Sequence, residues 1–286
     1  MSGEAIPRLP ARLVDSNKGS HGKGLLIAGG PGMTGAAILA GTAMLRSGAG
    51  LVTVAMPRPS QTIIALGNPC YMTVPLPEDA ETGMLSQAAL GPALSLALAR
   101  DVVAVGPGCG TSAILARLVL LLLERFAGPM VLDADALNSL GAVPSLPPRS
   151  LPPVLTPHPG EFARLSGLTI AQVQADRQSH ARTLAHKLGA VVLLKGHGTV
   201  VTDGERLTVN TTGNPGMARG GSGDVLTGLI TALLCQGMHP YEAAVLGAHT
   251  HGLAGDLARD RLGEVGMIAT DLVDCLPAAF RSLASG

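Results

Sequence analysis

Six short, almost continuously apolar segments constrain the fold of this chain more than any other feature. They are LLIAG (25–29), LVTVA (51–55), VVAVG (102–106), MVLDAD (130–135), PVLTP (153–157) and VVLLK (191–195). Such runs are typical of strands that are buried on both faces of a parallel sheet. Helical patterns lie between them, at 36–47, 111–126 and 170–188. Because alternating strands and helices pack as a sheet covered on both faces, we predict a three-layer α/β/α sandwich with a mostly parallel central sheet.

The pattern changes after residue 190. Three β-rich segments, VVLLKG (191–196), TVVTDG (199–204) and RLTVN (206–210), follow one another closely and predict a meander or hairpin at the sheet edge. Two further helices are expected, at about 224–236 and 241–261. The proline-rich stretch 144–153 is interpreted as a rigid loop, because a strand follows it directly. With 286 residues and no internal repeat, the whole chain, 1–286, is predicted to be one domain.

Composition argues against several classes of function. The 20 basic residues balance the 20 acidic ones, and only five residues are aromatic, so no nucleic-acid partner is expected. The 22 uncharged residues between Lys23 and Arg46 are long enough to span a bilayer. They include six glycines and Pro31, however, and are better interpreted as strand, loop and helix. Four widely spaced cysteines and the lack of a signal-peptide pattern predict a cytoplasmic protein without membrane association.

Residues 30–35, GPGMTG, match the glycine pattern of dinucleotide-binding proteins. The pattern follows a predicted strand and precedes a predicted helix, as that motif requires. The motif also needs an acidic residue about twenty positions later, for the ribose hydroxyl. Here the first acidic residue after the loop is Glu78. A Rossmann-type dehydrogenase is therefore disfavoured, although the loop is still expected to lie close to a ligand.

The segment GNPGMARGGSGD (213–224) stands directly before an apolar helical pattern. Glycines allow several backbone amides to turn toward one point, and a helix N-terminus favours an anion. We predict that Gly221, Ser222 and Gly223 form an anion hole for a phosphoryl group. Asp224 is placed to accept a proton from an attacking hydroxyl. The alternative is that Asp224 is only a helix N-cap that follows a tight glycine turn.

Other polar segments follow predicted strands. They are GPGCG (106–110), Asp133 and Asp135, His158 and Glu161, and Lys195, His197 and Thr199. Ligands of open α/β sheets bind at the carboxyl ends of the strands, so we expect these segments to meet at one edge. Simpler alternatives stay open for each: a turn at 106–110, a helix cap for the aspartates, a loop position for His158 and a surface cation for Lys195.

Taken together, the motifs resemble those of the ADP-dependent NAD(P)H-hydrate dehydratase family of the ribokinase-like superfamily. The segments that are similar are KGSHGKGLLIAGG (18–30), TGAAILAGTAMLRSGAGLVTVA (34–55), VGPGCG (105–110), VLDADALN (131–138), LTPHPGEF (155–162), LKGHGTVV (194–201), GNPGMARGGSGDVLTGLI (213–230) and AHTHGLAGD (248–256). The resemblance covers about residues 17–280 and implies a ribokinase-like fold. The epimerase domain that some members have ahead of this one is expected to be absent. One local departure is Asn17, where the family pattern predicts histidine.

The resemblance also implies an activity and a site. The S epimer of NADH or NADPH hydrate would be dehydrated to the normal cofactor, while ADP is converted to AMP and phosphate. Asp224 would contact the hydrate and act as the base. Ala36, Gly108 and His158 would line the hydrate pocket. The adenine nucleotide would be held by Lys195, Gly196, His197, Gly198, Thr199 and Gly223. Mg²⁺ would accompany the nucleotide, and the protein would be a homotetramer.

Two other functions are weighed against this one. The first is a ribokinase-like kinase of a small vitamin-precursor alcohol, which would use the same loop and aspartate. The second is a non-catalytic adenine-nucleotide sensor, which has no need of a base. The LTPHPGE segment favours the dehydratase over the kinase, and the presence of Asp224 disfavours the sensor. The residues leave open the preference for ADP or ATP and the metal ligands.

Overall fold

A computed structural model of the chain describes residues 6–284, which contain one nine-stranded sheet. The strands are β1 (Lys23–Ile27), β2 (Leu51–Pro57), β3 (Met72–Leu76), β4 (Val102–Val105), β5 (Met130–Leu132), β6 (Val154–Leu155), β7 (Val191–Leu194), β8 (Val200–Thr202) and β9 (Leu207–Val209). They lie in the order β3-β2-β1-β4-β5-β6-β7-β8-β9. All neighbouring strands from β3 to β7 pair in parallel. Strand β8 pairs antiparallel with β7, and β9 pairs antiparallel with β8. The mostly parallel sheet and the edge meander are thus confirmed.

Helices cover both faces of this sheet. They are α1 (Thr34–Arg46), α2 (Gln61–Gly67), α3 (Leu90–Leu98), α4 (Ala113–Arg125), α5 (Asp135–Leu140), α6 (Pro159–Ser166), α7 (Ile170–Ala175), α8 (Arg177–Leu188), α9 (Ser222–Cys235), α10 (Pro240–Gly266) and α11 (Ala269–Ala284). Two separate clusters of buried side chains result. One joins the sheet to α1, α2, α9, α10 and α11, and the other joins it to α3 through α8. The three-layer α/β/α architecture is therefore confirmed.

The single helix predicted at 170–188 is two helices. Asp176 has φ −149° and its side chain accepts a hydrogen bond from the Ser179 amide at 3.0 Å, so it caps the start of α8. A second cap, Thr169, starts α7 by accepting from the Gln172 amide at 3.2 Å. Two caps seven residues apart divide the pattern into two short helices.

Helix α9 is buried on all sides rather than along the single apolar face that its sequence predicts. Every residue from Val225 to Cys235 is buried. Gly228 allows α1 to approach so closely that a Cβ there would overlap the Ala40 carbonyl oxygen. A Cβ on Gly221 would lie 2.7 Å from Leu39, so both helices begin at the same end of the sheet. The first turn of α9 is therefore fixed by the core itself.

The direction in which successive strands are added reverses beside β1. The chain adds β2 and β3 on one side of β1, then returns to place β4 on its other side. At such a reversal the loops after the two central strands part, and they leave a crevice at the carboxyl edge. Among residues 6–284, no helix is long and apolar enough to cross a membrane.

Candidate active site

Two glycine loops form the floor of this crevice. The Gly29 amide donates to the Pro107 carbonyl at 2.9 Å, and the Gly30 amide donates to the Gly108 carbonyl at 2.5 Å. A Cβ added to Gly108 would lie 3.1 Å from the Cβ of Ala36. Ala36 and Gly108, two of the residues predicted to line the hydrate pocket, are therefore neighbours.

The loop after β4 is held by Asp135. Its Oδ2 accepts the Gly110 amide at 2.8 Å, and its Oδ1 accepts the Thr111 hydroxyl at 3.3 Å. Helix α5 begins with Ala134 as its N-cap residue and has no side-chain capping bond. The helix-cap alternative for Asp133 and Asp135 is therefore wrong. The turn at 106–110 is an ordered part of the crevice, in which Gly106 lies against the Asp133 carbonyl.

A buried ion pair lies beneath the crevice. Lys195 Nζ is 2.8 Å from Asp133 Oδ1 and 3.8 Å from Glu161 Oε2. Asp133 is only 1% exposed, and its second oxygen accepts the Thr227 hydroxyl at 2.7 Å. Burial alone would lower the pKa of Lys195, but the carboxylates of Asp133 and Glu161 together raise it. Lys195 is therefore a charged, paired ammonium, and its interpretation as a surface cation is wrong.

This ammonium lies directly under the first turn of α9. A Cβ added to Gly223 would be 3.2 Å from Lys195 Nζ. Helix α9 starts at Ser222, after Gly221 at φ 93° as its N-cap residue. The predicted anion hole, Gly221, Ser222 and Gly223, thus lies at a helix N-terminus with a cation beside it. Both features favour a bound anion.

Asp224 lies inside the first turn of α9, three residues after the N-cap position. Gly221 caps the helix without any side-chain hydrogen bond, so the alternative that Asp224 is the N-cap is wrong. Burial raises the pKa of the Asp224 carboxyl to about 7, and the negative charge of Asp133 adds to the effect. Lys195 opposes this shift only in part. A carboxylate with a pKa near 7 suits general-base chemistry at neutral pH.

His158 caps the start of helix α6 through its ring. Its Nδ1 accepts the amides of Gly160 at 3.0 Å and Glu161 at 3.3 Å, while Glu161 Oε2 accepts the His158 amide at 2.8 Å. The side chain is 50% exposed. Burial, followed by the charges of Lys195 and Arg164, lowers the pKa of His158, so the ring is neutral at pH 7. The loop position left open from the sequence is thus a helix cap.

The predicted nucleotide loop divides into two parts. Gly196 and Gly198 have φ values of 140° and 61°, and the Thr199 hydroxyl donates to the Gly196 carbonyl at 2.9 Å, which closes an exposed turn around His197. The side chain of Lys195 leaves this turn for Asp133. The Lys195 ammonium thus lies away from the exposed turn that follows it. The nucleotide-binding role of Lys195 and of the other loop residues stays a prediction.

Three residues of this region were not singled out from the sequence: Thr227, His251 and Asp256. The buried His251 Nε2 lies 2.9 Å from the Ser222 carbonyl. Burial lowers the pKa of His251 to about 4, so the ring is neutral and donates to that carbonyl. Asp256 accepts the Gly213 amide at 2.9 Å and the Asn214 side-chain amide at 3.1 Å. Polar residues inside otherwise apolar helices were the signal available for all three.

Comparison with known proteins supports the family that the sequence motifs resemble. The family model for NAD(P)H-hydrate dehydratase matches residues 24–278. The chain is 48% identical to the bifunctional NAD(P)H-hydrate repair enzyme Nnr of Moorella thermoacetica, over 96% of this chain and 52% of that protein. It thus spans about half the length of such bifunctional relatives. The ADP-dependent (S)-NAD(P)H-hydrate dehydratase of Neisseria meningitidis is 39% identical, over 94% of this chain and 87% of that protein.

Solved structures agree with these sequence similarities. The ADP/ATP-dependent NAD(P)H-hydrate dehydratase from Bacillus subtilis, co-crystallised with ATP and Mg²⁺, superposes with a TM-score of 0.85 at 32% identity. The match covers 96% of this chain and 94% of that one. A hydroxyethylthiazole kinase from Pyrococcus horikoshii superposes with a TM-score of 0.59 at 17% identity, a likeness of fold alone.

Proposed function

The chain belongs to the NAD(P)H-hydrate dehydratase family of the ribokinase-like superfamily, and on that premise we propose that it repairs hydrated NADH and NADPH. The substrate is the S epimer, ADP is the co-substrate, and the products are NAD(P)H, AMP and phosphate. The observation that supports this best is the Asp224 carboxylate, which lies beside a helix N-terminus and has a pKa of about 7. We further propose that residues 17–280 form a single dehydratase domain.

The chemistry has two steps. Hydroxide is a poor leaving group, so the hydroxyl of the hydrate is first converted into a phosphate ester. Asp224 accepts the hydroxyl proton while the oxygen attacks the terminal phosphorus of ADP and AMP departs. The carbon–oxygen bond of the ester then breaks and phosphate leaves with the bonding electrons. A neighbouring ring carbon loses a proton, which restores the double bond of the dihydronicotinamide.

The surroundings of Asp224 suit the charge that develops during transfer. The amides of Gly221, Ser222 and Gly223 are proposed to donate to an oxyanion on the moving phosphoryl group, and Lys195 adds a positive charge beneath them. The Ser222 amide would exchange its long hydrogen bond to the Arg219 carbonyl, 3.4 Å, for this one. Donors that are already in place when the reaction begins stabilise a transition state without further reorganisation. The fixed position of the first turn of α9, described above, provides this preorganisation.

The metal is proposed to arrive with the nucleotide. Within residues 6–284, no group of three His, Cys, Asp or Glu side chains could hold an ion by itself. Mg²⁺ usually keeps several waters and binds one or two carboxylates together with substrate phosphates. The carboxylates of Asp133, Glu161 and Asp224 surround a single lysine, so this region offers suitable negative charge. When bound, Mg²⁺ would neutralise charge on the transferring phosphoryl group.

The remaining roles follow the family. Ala36, Gly108 and His158 are proposed to contact the hydrate. ADP is proposed to bind at Lys195, Gly196, His197, Gly198, Thr199 and Gly223. A cytoplasmic location and a homotetramer are proposed as well. The apolar side chains of α10 around residues 243–248 are buried within one chain and belong to the core.

The test is a turnover assay with NADH hydrate, Mg²⁺ and either ADP or ATP. Recovery of the dihydronicotinamide absorbance, with AMP as the second product, is the expected result with ADP. Asp224→Asn should lower kcat by about 10²- to 10⁴-fold while leaving nucleotide binding in place. Asp274→Asn, an exposed carboxylate on α11, is the matched control. If Asp224→Asn keeps near-normal turnover, the proposed base is wrong. A stable phosphoester of a small alcohol would favour the kinase alternative instead.

A further inference from the structure

Residues 78–85, which link β3 to α3, form a closed turn that has no role in the function proposed above. Glu78 and Leu85 pair across its base as an isolated antiparallel bridge. Inside the turn, the Asp79 carboxylate accepts the Thr82 amide at 2.9 Å, and the Asp79 amide donates to the Met84 carbonyl at 2.8 Å. The backbone at Met84 is thereby fixed, while its side chain stays only half-buried.

This turn lies on both glycine loops of the crevice. A Cβ on Gly83 would be 3.0 Å from Pro31, which belongs to the β1–α1 loop. The Met84 sulfur would be 2.7 Å from a Cβ on Gly30 and 3.2 Å from one on Gly110. Larger residues at these two glycines would displace the thioether. One methionine thus bridges the two loops that part at the strand reversal.

Met84 lies near the residues that are proposed to line the hydrate pocket. Gly108, in the loop after β4, lies against Ala36 at the start of α1, and α1 begins beside the anion hole of α9. A second half-buried methionine, Met33, also lies against Gly108. Methionine side chains are flexible and polarizable, so they adapt to irregular apolar surfaces. The two glycine loops of the crevice therefore carry apolar, adaptable side chains, Met33 and Met84.

We propose that Met84 is a specificity-determining residue that packs against the uncharged, hydrated nicotinamide ring. The inference rests on the proposed dehydratase function and adds to it the wall that recognises the acceptor. Met84 does not belong to the nucleotide loop or the anion hole, and it is not the proposed base. Its contribution is to binding of the hydrate and not to binding of ADP.

The test compares Met84→Ala, Met84→Gln and Met84→Leu in the turnover assay. Alanine removes the thioether, glutamine keeps its length but is polar, and leucine keeps an apolar group of similar size. We expect alanine and glutamine to raise KM for NADH hydrate about tenfold, with KM for ADP changed less than twofold. Leucine should remain close to the wild type. Met72→Ala, on the exposed side of β3, is the control for loss of a methionine outside the crevice.

The binding of NADH, the product, is measured in parallel by its own fluorescence and should weaken in the same two variants. Melting temperatures show that each variant is folded. If the wild type is active and Met84→Ala leaves KM for the hydrate unchanged, the role of Met84 is wrong while the dehydratase function stands. Parallel rises in both KM values would also overturn it. If the wild type neither turns over the hydrate nor binds NADH, the proposed function fails, and the role of Met84 fails with it.

Discussion

Replacing Asp224 by asparagine should make the ligand-free protein more stable. The ionised carboxylate is partly buried near Asp133, and the nearby cation, Lys195, is already paired with Asp133 at 2.8 Å. Asparagine is nearly isosteric and has no charge to desolvate. The same substitution that removes the proposed base should therefore relieve an unfavourable charge.

The magnitude follows from the pKa of Asp224, which rises from 3.8 to about 7 in the folded chain. A shift of about three units corresponds to about 4 kcal/mol. Since the folded pKa is the higher one, the stabilising contribution is complete below about pH 4 and is lost as the pH rises through 7. The attraction of Lys195 is already included in this pKa. Asparagine still has a polar amide to desolvate, so we expect about half of the total, ~2 kcal/mol at pH 8. The melting temperature should rise by about 4–8 °C.

Thermal unfolding of the wild type and Asp224→Asn at pH 8 and pH 5 measures this effect. At pH 5 the gain should shrink to about a third, because most of the loss occurs between pH 5 and 7. Asp274→Asn should change little at either pH, since that carboxylate is exposed. A variant that is equally or less stable than the wild type at pH 8 would show that Asp224 is not under electrostatic strain.

The pH dependence of kcat/KM should have an acidic limb near pH 7, because the proposed base, Asp224, must be ionised and its pKa is about 7; a limb near pH 4 would contradict this. Lys195→Met should destabilise the fold by about 3–5 kcal/mol in urea unfolding, since it leaves a buried carboxylate unpaired, and should move the acidic limb upward; a loss below about 1 kcal/mol would refute the buried ion pair. Gly228→Ala should lower the free energy of unfolding by more than about 2 kcal/mol, because its Cβ would overlap the Ala40 carbonyl. Gly91→Ala, whose Cβ faces open space in α3, should raise the free energy of unfolding by about 0.5 kcal/mol. Equal effects of the two alanines in urea unfolding would mean that the α1–α9 contact can relax.

Much of the fold could be predicted because buried parallel strands have a distinctive sequence pattern. Strand β3 could not be. It is an edge strand with Pro75 inside it, and only Leu76 is fully buried. A strand that is half exposed has no need of a continuous apolar run. Helix α11 was missed for a related reason, since Pro277 lies within its pattern.

The candidate site could be located from the sequence but not assembled from it. The carboxyl ends of parallel strands meet at one edge, which is enough to bring Asp133, His158 and Lys195 together. Which side chain pairs with which depends on packing across long separations. Lys195 and Asp133 are 62 positions apart, and Thr227 and Asp133 are 94 apart. Sequence proximity placed Lys195 with the exposed loop, whereas electrostatic attraction draws its ammonium inward.

The burial of α9 on all sides has a consequence for how the protein can open. Amide hydrogens exchange through local openings where few contacts are lost, and in most proteins ligand sites lie in such weak regions. Here the helix that begins at the anion hole is enclosed by the sheet, α1 and α10. It cannot leave its place without exposing the centre of one of the two hydrophobic clusters. The amides of its middle turns should be among the slowest to exchange, so the anion hole disassembles only when the domain itself unfolds.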